Sequence, residues 1–118
     1  MAIIKLSSAK ISPRVGIDYV CNKEKTLGKL ISGKDCMTES CYDEFQMVKQ
    51  NFNKLDGRTY YHMIQSFAQD DDITPEKCHE IGVQMAEHCF PEFQVLVATH
   101  IDKKHMHNHF IINSVSYK

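Results

Sequence analysis

The sequence runs to 118 residues, with 42% apolar and 25% charged side chains and a formal net charge of −1 at pH 7. That balance excludes a disordered tail and suits one folded domain spanning 1–118. No apolar run approaches the roughly 20 residues of a membrane helix, and the start lacks the apolar stretch of a secretory signal, so no membrane association and a cytoplasmic location are expected. Five cysteines, an odd number with no C-x-x-C pair, read as reduced thiols rather than a disulfide framework or zinc finger.

The near-zero net charge conceals an asymmetry. Residues 1–34 carry seven positive and two negative side chains, while the remainder carries seven and thirteen. A basic first third on an acidic body can hold a phosphate backbone locally, although a segment this short is more often a solvated face.

In chain order, Ala2–Leu6 reads as a strand. Ser12-Pro13 is a helix start, with a hydroxyl cap and proline at the first helical position, and predicts a helix to about Asn22. Residues 23–37, rich in lysine and glycine, read as loop. A second helix begins near Thr38, with Cys41, Phe45, Val48 and Phe52 on one apolar stripe, and Asp56-Gly57 ends it. Thr59–Phe67 reads as a strand. Thr74-Pro75-Glu76 opens a helix whose buried face is expected to carry Cys78, Ile81, Gly82, Met85, Ala86 and Cys89, with Pro91 as the stop. Phe93–Thr99 and His107–Ser116 read as an antiparallel strand pair. The order β-α-α-β-α-β-β predicts an α+β layered domain, a largely antiparallel sheet flanked by helices.

Four of the seven histidines fall within ten residues: His100, His105, His107 and His109. Side chains alternate along a strand, so His105, His107, His109 and Asn113 share one parity. His100, at the end of the preceding strand, can fold back to add a third imidazole. Three imidazoles with open positions suit a divalent catalytic metal held by His100, His107 and His109. Asp102 is placed to accept a ligand ring N–H. Taken singly, each histidine would be an ordinary surface or core residue; as a same-face run they point to a metal. A structural zinc site is disfavoured because no cysteine lies nearby.

The segment His100-x-Asp102-x4-His107-x-His109-x3-Asn113 resembles the third motif of conjugative relaxases, the histidine–hydrophobic–histidine (HUH) endonucleases, and in particular the MobP class of mobilisation relaxases. Met1–Lys5 followed by Gly16-Ile-Asp-Tyr19-Val resembles the first motif of that class, which carries the nucleophilic tyrosine. Tyr61-His62-Met-Ile-Gln65-Ser66-Phe67 resembles the middle motif. Two departures stand out. Asn108 occupies the position between the paired histidines where a hydrophobic residue is expected, and His105-Met106-His107 would satisfy that pattern literally. The separations from His100 and the following Asn113 favour His107 and His109, with Asn108 facing away from the metal. Relaxase domains also run well past this length, so the chain is expected to be an N-terminal portion carrying all three motifs.

The resemblance implies site- and strand-specific nicking of DNA at the transfer origin of a plasmid or mobile element in conjugative mobilisation. Tyr19 would be the nucleophile, leaving a 5′-phosphotyrosyl link and a free 3′-hydroxyl. It implies Mg²⁺ or Mn²⁺ as cofactor, while three imidazoles also accept Zn²⁺ or Ni²⁺. Asp102 would orient a ligand ring or, second, take the tyrosine proton. Lys23, Lys25, Lys29 and Lys34 would hold single-stranded DNA, with His62, Ser66, His105 and Asn113 as further contacts near the scissile phosphate. Accessory mobilisation proteins and a coupling protein are implied partners, and an exposed sheet edge would allow a homodimer. Without the resemblance, Tyr19 reads as a half-buried core aromatic between Ile17 and Val20. Two other functions stay open at this point: a DNA-binding remnant without turnover, and a metal phosphodiesterase that uses water.

Overall fold

The computed structural model describes residues 3–22, 26, 30–54, 57–68, 72–101 and 105–117. The expected Lys23, Lys25, Lys29 and Asp102 lie outside these residues. The elements are β1 (Ile3–Ala9), α1 (Pro13–Val20), β2 (Ile31–Lys34), α2 (Cys41–Asn51), β3 (Tyr60–Ser66), α3 (Pro75–Cys89), β4 (Val95–His100) and β5 (His107–Asn113). The strands form one antiparallel sheet in the order β1-β3-β5-β4-β2, with the histidine-bearing β5 at its centre. This is the expected α+β layered fold.

The helix starts follow their capping chemistry. The Ser12 hydroxyl accepts the Arg14 N–H, and the Thr74 hydroxyl accepts the Lys77 N–H, each followed by proline in the first turn. α1 and α2 cover one face of the sheet, where Ile17, Val20, Cys41 and Phe45 pack against Tyr60, Leu96, Ala98 and Ile111. α3 covers the other, with Ala86 against Met63, Val95, Val97, Phe110 and Ile112. Gly16 lets α1 lie directly on β3: a Cβ there would come within 2.8 Å of the Tyr60 ring.

Three local expectations change. Ile31–Lys34, expected as loop, is a strand on the sheet's far edge paired with β4; with one apolar residue and a glycine it lacks the alternation that marks a strand. The buried stripe of α2 continues through Lys49 rather than Val48, and its Nζ donates to the Thr59 carbonyl at 2.6 Å. Burial holds that ammonium's pKa below its usual value. Cys89 is exposed, and the buried face of α3 is carried by Cys78, Gly82 and Ala86. All five cysteines are free thiols.

β1 forms the opposite edge, with Ile3, Ile4 and Leu6 exposed. Among the described residues no helix is long and apolar enough to cross a membrane.

Candidate active site

Register places the histidines. In β5, His107 lies opposite Ser66 of β3 and His100 of β4; His109 lies opposite Ile64 and Ala98; Ile111 lies opposite His62. Alternation then turns His62, His100, His107 and His109 to the α1 face, above the apolar floor of Leu96, Ala98 and Ile111. The rings form a continuous cluster. Centroids are 4.0 Å apart for His100 and His109, 5.1 Å for His62 and His109, and 6.3 Å for His107 and His109.

Tyr19 closes this cluster from α1. Its neighbours Ile17 and Val20 are buried, while Tyr19 itself is 52% exposed and turned along the helix edge. Its ring centroid lies 6.1 Å from His100, 6.1 Å from His109 and 6.5 Å from His62, edge-on to each. A phenol reachable from solvent, lying against several imidazoles, is not a packed core aromatic. Tyr60 is buried under α1.

Hydrogen bonds set the ring states. His100 Nε2 lies 2.8 Å from the Val20 carbonyl, which can only accept, so Nε2 carries a proton. The same bond ties β4 to the end of α1, one residue from Tyr19. His62 Nε2 and His109 Nδ1 share a hydrogen bond of 2.9 Å. Burial, with a smaller contribution from His100, holds the His62 pKa below the ordinary imidazole value.

Among the described residues, no three His, Cys, Asp or Glu side chains stand in a ligating arrangement. The donor chemistry of His100, His107 and His109 does fit a divalent ion: three imidazoles on one face, from adjoining strand ends, without thiolates that would favour a closed structural site. In the side-chain placement seen here, His100 and His109 are engaged with Val20 and His62.

The description "Relaxase: MobA/VirD2-like, nuclease domain" matches residues 19–118. The chain belongs to this relaxase nuclease family. The relaxase domain is 35% identical to "Protein rlx" of Staphylococcus aureus over 115 residues, covering 98% of this chain and 33% of that protein. It is also 35% identical to the "Group II intron-interrupted relaxase LtrB" of Lactococcus lactis subsp. cremoris, covering 83% of this chain and 22% of the relative. The chain thus spans about a third of the length of the Staphylococcus relative and less of the other.

Other expected site residues of this relaxase domain are distributed as follows. Ser66 lies beside His107 on the site face, at the end of β3. His105 is exposed, and its Nδ1 lies 3.2 Å from the Phe67 carbonyl, which anchors the β4–β5 connection to the end of β3. Two expected DNA contacts are structural instead. Lys34, at 9% side-chain exposure, pairs with Asp35 and donates to the Pro91 and Phe93 carbonyls, so its ammonium is committed to the fold. Asn113 is fully buried; its amide donates to the Phe45 carbonyl and Gln94 Oε1, and its Oδ1 accepts the Val115 N–H.

The relaxase domain also holds a polar network that local sequence does not announce, on the α3 face directly behind the histidines. Asn108, between His107 and His109, has 0% exposure. Its amide donates to Gln65 Oε1 at 3.0 Å and the Cys78 carbonyl at 2.8 Å, and its Oδ1 accepts the Thr99 hydroxyl at 2.6 Å and the Cys78 thiol at 3.6 Å. Burial pushes that thiol up to about 11, so it stays protonated and able to donate. With the Thr99 proton directed at Asn108, His79 Nδ1 must donate to Thr99 Oγ1 at 2.8 Å, and His79 Nε2 lies 2.7 Å from the Ser32 hydroxyl, which can donate or accept. Partial burial lowers the His79 pKa, which favours the neutral ring with its proton on Nδ1.

Proposed function

We propose that this chain is the catalytic portion of a relaxase that nicks one strand of DNA at a transfer origin by tyrosine transesterification. The observation that carries the reading is the position of the exposed Tyr19 ring against His62, His100 and His109, at centroid distances of 6.1–6.5 Å. In the proposed step, Tyr19 Oη attacks the scissile phosphorus. The Oη–P bond forms, the P–O3′ bond breaks, and the departing 3′-oxygen gains a proton. The product is a 5′-phosphotyrosyl strand and a free 3′-hydroxyl. A covalent tyrosyl ester conserves the phosphodiester energy, so the strand can later be rejoined by the reverse attack.

The phenol must lose its proton as it attacks, since free tyrosine has a pKa of about 10. Asp102 would take that proton as its second role, the first being to orient a ligand ring. A neighbouring imidazole would be the alternative acceptor. His100, His107 and His109 would hold Mg²⁺ or Mn²⁺, which when bound supplies charge neutralisation at the non-bridging phosphate oxygens. The chain's own contribution is an apolar floor that fixes the imidazoles, a helix that presents the phenol, and Ser66 at the rim of the same face. The basic first third, including Lys23, Lys25 and Lys29, would hold the strand by its phosphates. The β1 edge, unpaired among the described residues and with Ile3, Ile4 and Leu6 exposed, would allow pairing with a second copy.

Incubation of the chain with a labelled single-stranded origin oligonucleotide and Mn²⁺, followed by a denaturing gel, tests the reading. A slowly migrating protein–DNA band that Tyr19→Phe loses is expected. Cleavage that persists in Tyr19→Phe without an adduct would show hydrolysis by water instead, and retention of DNA without cleavage would show a binding remnant.

A further inference from the structure

We infer that Asn108 is the positioning residue of this site: from the opposite face of the sheet, it fixes the register and ring placement of His107 and His109. The role of those rings rests on the proposed relaxase reading, but the register argument needs no bound ion.

Register in β5 is poorly specified by its apolar residues. Phe110, Ile111 and Ile112 are apolar in succession and buried on both faces of the sheet, so a one-residue slip would still bury them. The same slip would turn His107 and His109 to the α3 side. Asn108 forbids it. Both amide protons and both Oδ1 lone pairs have partners, drawn from β3 (Gln65), β4 (Thr99) and α3 (the Cys78 carbonyl and thiol). Gln65 and Thr99 are also its direct neighbours in the two flanking ladders. No other position of β5 would present an amide to these partners, and a slipped strand would leave several buried polar groups unpaired.

The same group couples α3 to the site. Gly82 lets the helix close over the amide, and a Cβ there would come within 2.8 Å of Asn108 Cγ and Nδ2. Because that amide is buried and held at every atom, it can give way only by moving the strand that carries His107 and His109. Thr99 conveys the restraint one residue along β4 to His100, and it is itself oriented by His79 and Ser32. An asparagine thus stands where the resemblance leads one to expect a hydrophobic residue because the strand is held by hydrogen bonds rather than by apolar packing at this point.

The test compares the full chain with Asn108→Leu, Gly82→Ala, Thr99→Val and Thr99→Ser. Two readouts are made on each: histidine ring resonances by ¹H–¹³C NMR without metal, and Mn²⁺ affinity by calorimetry. Asn108→Leu is expected to melt cooperatively yet shift the ring resonances of His107 and His109, leave those of the exposed His88 unchanged, and weaken Mn²⁺ binding by about tenfold or more. Gly82→Ala and Thr99→Val should do the same in smaller measure, whereas Thr99→Ser, which keeps the donor, should match the parent. A folded Asn108→Leu chain with unmoved His107 and His109 resonances and parental Mn²⁺ affinity would overturn the assignment. If Asn108→Leu does not fold, Gly82→Ala and Thr99→Val decide by the same criteria. If the parent chain binds no Mn²⁺, the metal reading fails while the ring resonances still decide the role of Asn108.

Discussion

At the scale of the residue, the proposed chemistry would depend on one phenol. Tyr19→Phe removes a single oxygen from an exposed ring and leaves the packing of Ile17 and Val20 intact. It is expected to lower strand cleavage at least about 10⁴-fold, the scale seen when a nucleophile is deleted, with DNA affinity changed less than twofold in fluorescence anisotropy. Asn113 should behave in the opposite way. It is buried and ties β5 to Phe45 and Gln94, so Asn113→Ala should cost about 1–3 kcal/mol in urea unfolding without altering DNA affinity. The histidine run and its alternation were legible in the sequence, since period-two patterning requires no knowledge of neighbours; the place of His62 beside His109 was not, because the β3–β5 register sets it. The roles of Lys34 and Asn113 were not. An exposed lysine and one folded back onto distant carbonyls look alike in one dimension, and here the decisive partners, Pro91 and Phe93, are 57 and 59 residues away.

At the scale of the element, the helices with capping signals were readable and the weak edge strand was not. Ser12-Pro13 and Thr74-Pro75 specify helix starts through local hydrogen bonds, so local sequence suffices. Thr74→Ala should therefore cost about 1 kcal/mol of stability, seen as a lower midpoint in thermal unfolding, with the circular dichroism of the folded state nearly unchanged. β2 is a strand only because β4 offers it a ladder; Ile31-Ser-Gly-Lys34 carries no pattern of its own. The polar network behind the site escaped the sequence for a related reason. Gln65, Thr99, Asn108, Cys78 and His79 come from β3, β4, β5 and α3, and only the folded register brings them together.

At the scale of the whole molecule, two helical layers on one antiparallel sheet would divide the labour: in the proposed reading the α1 face carries the chemistry and the α3 face holds the strands that display it. The half-buried His79 makes that second layer sensitive to acid. Its folded pKa lies below the ordinary 6.5, so the unfolded chain binds the proton first, and stability present above about pH 6.5 is lost as pH falls through the window beneath it. Melting temperature should therefore decline from pH 7 toward pH 5, and His79→Gln should flatten that decline. The account as a whole stands on the identity of the nucleophile, and tryptic mass spectrometry of the adduct reads it directly. Trypsin cleaves after Arg14 and Lys23, so Tyr19 is carried on the peptide 15–23, the only tyrosine in it. After reaction with an origin oligonucleotide and nuclease trimming, that peptide should bear the added 5′-phosphonucleotide mass. An adduct on a peptide containing Tyr42, Tyr60 or Tyr61, or cleaved DNA with peptide 15–23 unmodified, would contradict the account.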